Sequence, residues 1–243
     1  MYAVLETQLK TLRLPGIAKL LLVRLHEAEA NHLGYADFLS RLVEDELKSR
    51  CDRLLGRRLR TASFPGTKSL DSFDYSFNQS VRKQKIMELA TCAYIALGQN
   101  VLLIGPPGVG KTHLAIGLGI SAIEKGYEVA YRSIFDLSED LLEANVEGKR
   151  RDLIQELVKP SLLIIDELGM KRLPPHAGED LLEVFHRRYQ KKSTIICTNR
   201  PIDEWGQYFE DAVATTAILD RILEGVHLVK ITGKSYRLGK PSE

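Results

Sequence analysis

The residues with the clearest chemical signal form one run, Gly105-Pro106-Pro107-Gly108-Val109-Gly110-Lys111-Thr112. Glycines at these spacings let backbone N–H groups turn inward around phosphate oxygens. An apolar-periodic segment with Leu114, Ala115 and Leu118 follows, and as a helix it adds the positive end of its dipole. Lys111 reaches the outer phosphates and Thr112 offers a hydroxyl to Mg2+. This is the order of a Walker A loop. Downstream, Leu162-Leu163-Ile164-Ile165-Asp166-Glu167 is an apolar run ending in two carboxylates, the Walker B form. Asp166 is placed to hold Mg2+ through its water shell, and Glu167 is the candidate general base for the water that attacks a γ-phosphate. The next run, Thr194-Ile195-Ile196-Cys197-Thr198, delivers Asn199 at its carboxyl end, where an amide can orient that water. With Pro201 just beyond, Asn199 is equally a turn former. Asp220-Arg221 lies near the end of a helical run ahead of the last apolar segment. From there the guanidinium reaches a neighbouring subunit's nucleotide more readily than its own; the competing reading is a surface ion pair.

Such groups need a scaffold that gathers several strand ends. From residue 81 onward, helical segments alternate with apolar runs at 100–104, 127–132, 162–166, 194–198 and 226–231. Short runs that are apolar throughout suit strands buried on both faces. Their separation by helices predicts parallel βαβ units in a three-layer α/β sheet. The first sixty residues read as helix. Leu5, Leu9 and Leu12 repeat at helical spacing, Leu14-Pro15-Gly16 interrupts them, and apolar residues resume at Ile17. After Asn31 and Gly34, the positions Tyr35, Phe38, Leu39, Leu42, Val43 and Leu47 keep the rhythm of a third helix packed on one side, expected to run to about Arg60. Residues 61–80, with Pro65-Gly66 and the aromatics Phe64, Phe73, Tyr75 and Phe77, have no period and read as a connector. The expected organisation is a small all-α amino-terminal domain (1–60), a linker (61–80) and an α/β nucleotide domain (81–243).

Composition narrows the setting. The 243 residues are 44% hydrophobic and 27% charged, the mixture of a globular chain, and no apolar run approaches the roughly 18 residues of a membrane span. The amino terminus lacks the pattern of a secretory signal, so the expectation is a cytoplasmic protein with no membrane partner. Cys51, Cys92 and Cys197 are too far apart for a zinc knuckle or redox pair. Charge is uneven: residues 1–68 carry 12 Lys and Arg against 8 Asp and Glu, leaving 22 against 24 for the remainder, which points to an anionic partner for the first segment.

The motif set, Lys111-Thr112-His113-Leu114-Ala115, Asp166-Glu167-Leu168-Gly169, Asn199 and Ile218-Leu219-Asp220-Arg221, resembles that of an AAA+ P-loop ATPase. Within that superfamily the chain is similar to the IstB-like helper ATPases of insertion-sequence transposition, relatives of the DnaC helicase loaders and DnaA initiators. The likeness runs nearly end to end, through Leu12-Arg13-Leu14-Pro15-Gly16, Phe73-Asp74-Tyr75, Arg188-Tyr189, Glu204-Trp205-Gly206 and Gly233-Lys234-Ser235-Tyr236-Arg237. It implies ATP and Mg2+ as cofactors, His113 as an extension of the nucleotide-binding loop, Asn199 as a sensor and Arg221 as an arginine finger. Two departures stand out. Cys197-Thr198-Asn199 replaces the common Thr-Ser-Asn. After the last strand only residues 232–243 follow, so the expectation is an architecture without a C-terminal lid domain, in which the duty of a second sensor arginine is absent or falls to Arg237.

On a helix advancing about 100° per residue, Arg50, Arg53, Arg57 and Arg60 fall within an arc of roughly 80°, with Cys51, Leu54, Leu55 and Leu59 roughly opposite as a packing face. Gly56 weakens that helix by about 1 kcal/mol. Similarity to a DNA-acting family favours reading the stripe as a phosphate-backbone contact over a solvated face. Lys149-Arg150-Arg151 is a second basic spot and Lys171-Arg172 a weaker third. No base-reading motif is evident, so binding should be indifferent to sequence. The expected function is an ATP-dependent helper of DNA transposition. It would form a homo-oligomer on double-stranded target DNA and present that DNA to a transposase, with hydrolysis resetting the assembly. The alternative is a DnaC-like replicative helicase loader. A nucleotide-gated scaffold without turnover is disfavoured by Glu167.

Overall fold

The apolar runs become five parallel strands: β1 (Val101–Ile104), β2 (Val129–Ser133), β3 (Leu162–Leu168), β4 (Ser193–Thr198) and β5 (His227–Lys230), in the order β2-β3-β4-β1-β5. The structure, a computed structural model, describes residues 2–171, 173–174, 176–206 and 212–239. Among these residues no helix is long and apolar enough to cross a membrane. The chain divides into two units, Met1–Arg57 and Arg58–Glu243, so the division falls inside a helix.

In the second unit, alternation along the strands splits the apolar side chains between two faces. Leu102, Leu163, Ile165 and Ile196 join a core with α7 (Ile134–Val146), α8 (Arg150–Val158), α9 (Ala177–Arg188) and α10 (Ala212–Leu223). The other face is covered by α6 (Lys111–Glu124), whose Gly119 leaves so little room that a Cβ there would lie 2.9 Å from both Ile164 and Phe64. This is the three-layer α/β architecture. The chain leaves β1 by α6, crosses to the far edge as β2, and returns through β3 and β4 to the other side of β1. The carboxyl ends of β1, β4 and β3 are therefore neighbours, the crevice where open α/β sheets bind ligands. Arg188, only 1% exposed, ties the amino ends together by donating to the carbonyls of Leu157, Pro160 and Ser193. Burial lowers its pKa to about 9, which leaves it charged at neutral pH.

Ahead of the sheet, α4 (Lys83–Ala90) and α5 (Ala93–Ala96) lead into β1. Residues 61–80 pack within the same unit: Leu70 is buried and meets Gly117 of α6.

The first unit contains α1 (Tyr2–Thr11), α2 (Pro15–Ala30) and most of α3 (Tyr35–Ala62). Pro15 sits in the first turn of α2, where its missing N–H is harmless. The next amides donate to a side chain of α3: Gly16 N–H to Glu46 Oε2 at 2.7 Å and Ile17 N–H at 3.3 Å. A Cβ on Gly16 would fall 2.7 Å from that of Ser49, so the Leu-Pro-Gly run is a close helix crossing. Arg24 bridges Asp45 and Glu27 beside it. The line of contact on α3 is thus Leu42, Asp45 and Glu46, and the expected packed face is corrected by it. Tyr35 is 92% exposed, and Leu39, Val43 and Leu47 are exposed as well. The period was helical, but charged residues took the buried side. Cys51 and Leu54 are likewise exposed, and α3 passes Gly56 unbroken.

Glu46, like Asp45 beside it, contributes to the acid sensitivity of this unit. Burial pushes its carboxyl pKa up, but bonds from Arg50, Gly16 and Ile17 outweigh that and hold it below the ordinary 4.5. A carboxylate with a lowered folded pKa contributes stability that is complete above the unfolded value and is lost as pH falls through the folded one. Glu46→Gln should cost about 1–3 kcal/mol at pH 7, read by hydrogen exchange of α2 amides in the full chain. The gap from the unsubstituted protein should close as pH drops below about 4.5. A gap that stays constant with pH would refute this role.

Candidate functional site

The phosphate loop is shaped by backbone approaches that exclude side chains. Gly105 N–H donates to Thr198 O at 3.2 Å as β1 ends, and a Cβ on Gly105 would lie 2.1 Å from the carbonyl oxygen of Ile231. Gly108 and Gly110 have φ of +78° and +98°, in the left-handed region that favours glycine. A Cβ on Gly108 would strike Ser235 Oγ at 2.0 Å, and one on Gly110 would meet the Phe73 ring at 2.6 Å. Lys111 opens α6 and its Nζ donates to Gly105 O at 2.7 Å and Pro106 O at 2.8 Å, spanning the loop mouth. Pro107, Val109 and Thr112 complete the loop, with Val109 buried beneath it. His113 turns sideways: its Nε2 lies 2.8 Å from Ser69 O and 3.2 Å from Ser72 Oγ, and its ring stands edge-on to Phe73.

Two strand ends supply the other groups. Asp166 is 2% exposed; its Oδ2 accepts from Tyr131 Oη and its Oδ1 from the Glu167 N–H, each at 2.9 Å. Consecutive strand residues normally face opposite ways. Here Glu167 has φ of +62°, where β3 slips register against β4 between Ile165 and Leu168, and the alternation breaks. Both carboxylates consequently act on the Lys111 ammonium, whose pKa burial lowers against their upward pull. Burial also raises the Glu167 carboxyl, with the Asp166 charge adding to it and Arg237 opposing. A carboxylate of raised pKa is a better proton acceptor. Asn199 follows β4, with its Nδ2 2.8 Å from Met170 Sδ. Its Oδ1 is buried and has no hydrogen-bond partner among the described residues.

Phe73, Phe77, Tyr236 and Arg237, all named in the sequence, gather beside the loop with Asn78 and Ser80, which were not. A cavity of about 310 Å3 opens beside the loop, bounded by Gly108–Thr112 on one side and by Phe73, Phe77, Asn78, Tyr236 and Arg237 on the other. Asn78 Nδ2 donates to Val109 O at 3.4 Å, and Ser80 exchanges two 2.9 Å hydrogen bonds with the Thr232 backbone. Tyr236, opening the short helix α11 (Tyr236–Gly239), donates its N–H to Gly108 O at 2.9 Å, and its ring stacks edge-on with Phe77. The aperiodic aromatics at 64–77 were the available signal: an aromatic cluster in a connector needs a surface to cover.

Arg221 lies elsewhere. It sits near the end of α10, with Nε 3.3 Å from His186 Nδ1 and NH1 2.7 Å from Ala217 O. Asn100, just before β1, donates to the Arg221 and Ile222 carbonyls and accepts from Thr194 N–H. This locks the end of α10 to the amino edge of the sheet. From Asn100 to Gly105 the strand rises roughly 16 Å, at about 3.3 Å per residue, so the phosphate loop is at the opposite edge. The basic candidates divide. Arg50 and Arg53 both bond Glu46, Lys149 pairs with Glu147, and Arg150 is held by Asp180 and Glu183. Arg57, Arg60 and Arg151 are exposed. Lys171 lies 3.9 Å from Glu139, and Arg172 is outside the described residues.

The donor set fits a nucleoside triphosphate with Mg2+: a glycine loop packed too closely against its neighbours to admit a Cβ, a lysine at its mouth, a threonine following that lysine, and a buried carboxylate at the end of β3. Comparison with known proteins agrees. Residues 7–243 match the family described as IstB-like ATP binding protein. The ATP-binding protein of insertion sequence IS5376 from Geobacillus stearothermophilus is 37% identical over 93% of this chain and 90% of its own length. That of insertion sequence IS21 from Pseudomonas aeruginosa is 35% identical over 96% and 88%. Among solved structures, the replication initiator DnaA bound to AMPPCP and single-stranded DNA superposes with a TM-score of 0.59 at 20% identity, covering 71% of this chain and 52% of that one. The DnaC helicase loader gives 0.54 at 23%, covering 72% and 98%. These two show the fold, that of an AAA+ P-loop protein. The sequence relatives span nearly the whole of both chains, and on that extent of agreement this chain belongs to the IstB-like ATP-binding protein family of insertion sequences.

Proposed function

We propose that the protein is an ATP-hydrolysing helper of DNA transposition that assembles with itself on double-stranded DNA and presents that DNA to a transposase. The observation that carries this reading is the distance between its two halves. A complete phosphate site lies at the carboxyl edge of the sheet, and Arg221 is locked by Asn100 to the amino edge. An arginine so placed serves a neighbouring subunit's nucleotide, and hydrolysis then waits on assembly. The relatives, ATP-binding proteins of insertion sequences, support the transposition setting.

In this reading residues 105–113 grip the triphosphate. Lys111 moves from the Gly105 and Pro106 carbonyls to the outer phosphate oxygens. Thr112 and Asp166 hold the Mg2+, which when bound neutralises charge on the phosphates. Glu167 takes the proton of the attacking water, and the Asn199 amide at the end of β4 orients that water. Arg237, which lines the cavity together with Lys111 and acts electrostatically on Glu167, is the chain's own second cation on the nucleotide. Arg57, Arg60 and Arg151 carry the phosphate contacts to DNA. Arg50, Arg53, Lys149 and Arg150 contribute less, because each is already paired within the chain.

Glu167→Gln should keep ATP binding and lower turnover by about 10²–10⁴-fold. Arg221→Ala should lower turnover of the assembled protein by roughly 10³–10⁵-fold. Mixing the two inactive variants should restore turnover, because an intact Glu167 site of one subunit then meets an intact Arg221 of the next. Mixtures that stay inactive would exclude action between subunits.

For DNA, log K against log salt measured with a random-sequence duplex and ATP should lose a slope of about 1.8 when Arg57 and Arg60 are both replaced by alanine. An unchanged slope would remove them from the DNA surface.

A further inference from the structure

Tyr131 has no place in the nucleotide-binding motifs, yet its hydroxyl bonds one of their residues, Asp166. It lies on β2, 7% exposed, opposite Ile164 in the parallel register, with Ser133 opposite Asp166. The Tyr131 and Asp166 side chains therefore share one face of the sheet, displaced by two residues along it. Such diagonal neighbours are about 7–8 Å apart, a gap that a long aromatic side chain with a terminal hydroxyl can close. The ring is fixed from behind by Phe64, edge-on at 6.3 Å between centroids. Its Oη donates to Asp166 Oδ2 at 2.9 Å in a buried setting, while the Glu167 N–H holds Oδ1.

We propose that Tyr131 is a positioning residue for the metal: it fixes the plane of the Asp166 carboxylate so that this group meets the hydration shell of Mg2+ without first being ordered. The proposal rests on the reading of Asp166 as the Mg2+-facing carboxylate. A carboxylate held on both oxygens is restrained from rotating. Removal of the hydroxyl leaves Oδ2 short of a donor and frees the group to turn. The expected loss is in metal affinity; grip on the triphosphate by the loop is untouched, because Tyr131 bonds no loop atom among the described residues.

The test uses the full chain with a fluorescent nonhydrolysable ATP analogue, titrated with Mg2+ and in parallel with EDTA. Tyr131→Phe should raise the half-saturating Mg2+ concentration about tenfold, the lower end of the usual effect of an outer-shell partner, and leave affinity in EDTA unchanged. In an Asp166→Asn background it should add nothing. Phe64→Leu, which keeps hydroxyl and carboxylate and loosens only the wall behind the ring, should shift the Mg2+ dependence in the same direction by less, so the question stays open to test even if Tyr131→Phe folds poorly. A Tyr131→Phe effect that is absent, equal with and without Mg2+, or undiminished in the Asp166→Asn background would overturn the proposal. If Asp166→Asn itself leaves the Mg2+ dependence unmoved, the metal role of Asp166 falls and this inference with it. If Asp166→Asn moves it and Tyr131→Phe does not, only this inference falls.

Discussion

Backbone amides can hold a phosphate only where nothing stands between them and it, and the absence of Cβ atoms around the loop is the constraint on which this structure rests. Gly105 passes within 2.1 Å, measured from a notional Cβ, of the Ile231 carbonyl oxygen. Gly108 and Gly110 adopt left-handed backbone while Ser235 and Phe73 press against them. Two segments remote in sequence, residues 61–80 and the stretch after β5, thereby become walls of one cavity. The hydrogen bonds of Asn78 to Val109 and of Tyr236 to Gly108 keep them there. An alanine at any of the three glycines would force these walls outward as well as strain the loop.

Around this loop, burial and charge are balanced locally. Asp166 is buried and remains tolerable because Tyr131 and the Glu167 amide both donate to it. Glu167 occupies a left-handed conformation that a non-glycine residue adopts only at a cost of about 1–3 kcal/mol. The structural consequence is that two consecutive carboxylates act on one lysine instead of pointing to opposite faces of the sheet. Desolvation lowers the Lys111 pKa and raises that of Glu167, so carboxyl and ammonium are tuned by one environment.

The far edge of the sheet has its own fastening. Arg188, buried among carbonyls, and Asn100, bridging α10 to the starts of β1 and β4, make that edge rigid. Arg221 is presented from this edge, with its guanidinium held by Ala217 O and His186. A rigid mount suits a group whose partner would lie on another molecule, since little order is left to be lost on association.

What was legible in the linear chain was whatever depends on residue type and short spacing. Glycine, lysine and threonine in the loop, carboxylates after an apolar run, and five buried strands with helices between them follow from local chemistry and from period. The folded chain bears out the strands and the parallel sheet. Strand order, register and the direction of long side chains depend on contacts between distant residues, and the sequence carries no local signal for them. Hence Tyr131 looked like an ordinary strand aromatic until β2 was paired with β3, and residues 61–80 looked like spacing until Phe73 was seen against Gly110. The helical period of α3 was readable, but which side it buries was not. Glu46 and Asp45 are charged, and only the amides of α2 and the guanidinium of Arg24 make their burial favourable over that of Leu39 or Val43. In the same way a count of arginines could not tell Arg50, already bonded to Glu46, from the exposed Arg57. Composition determines how many charges a chain carries; the fold decides which of them already have a partner, because a carboxylate held beside a guanidinium competes with any partner still in solution.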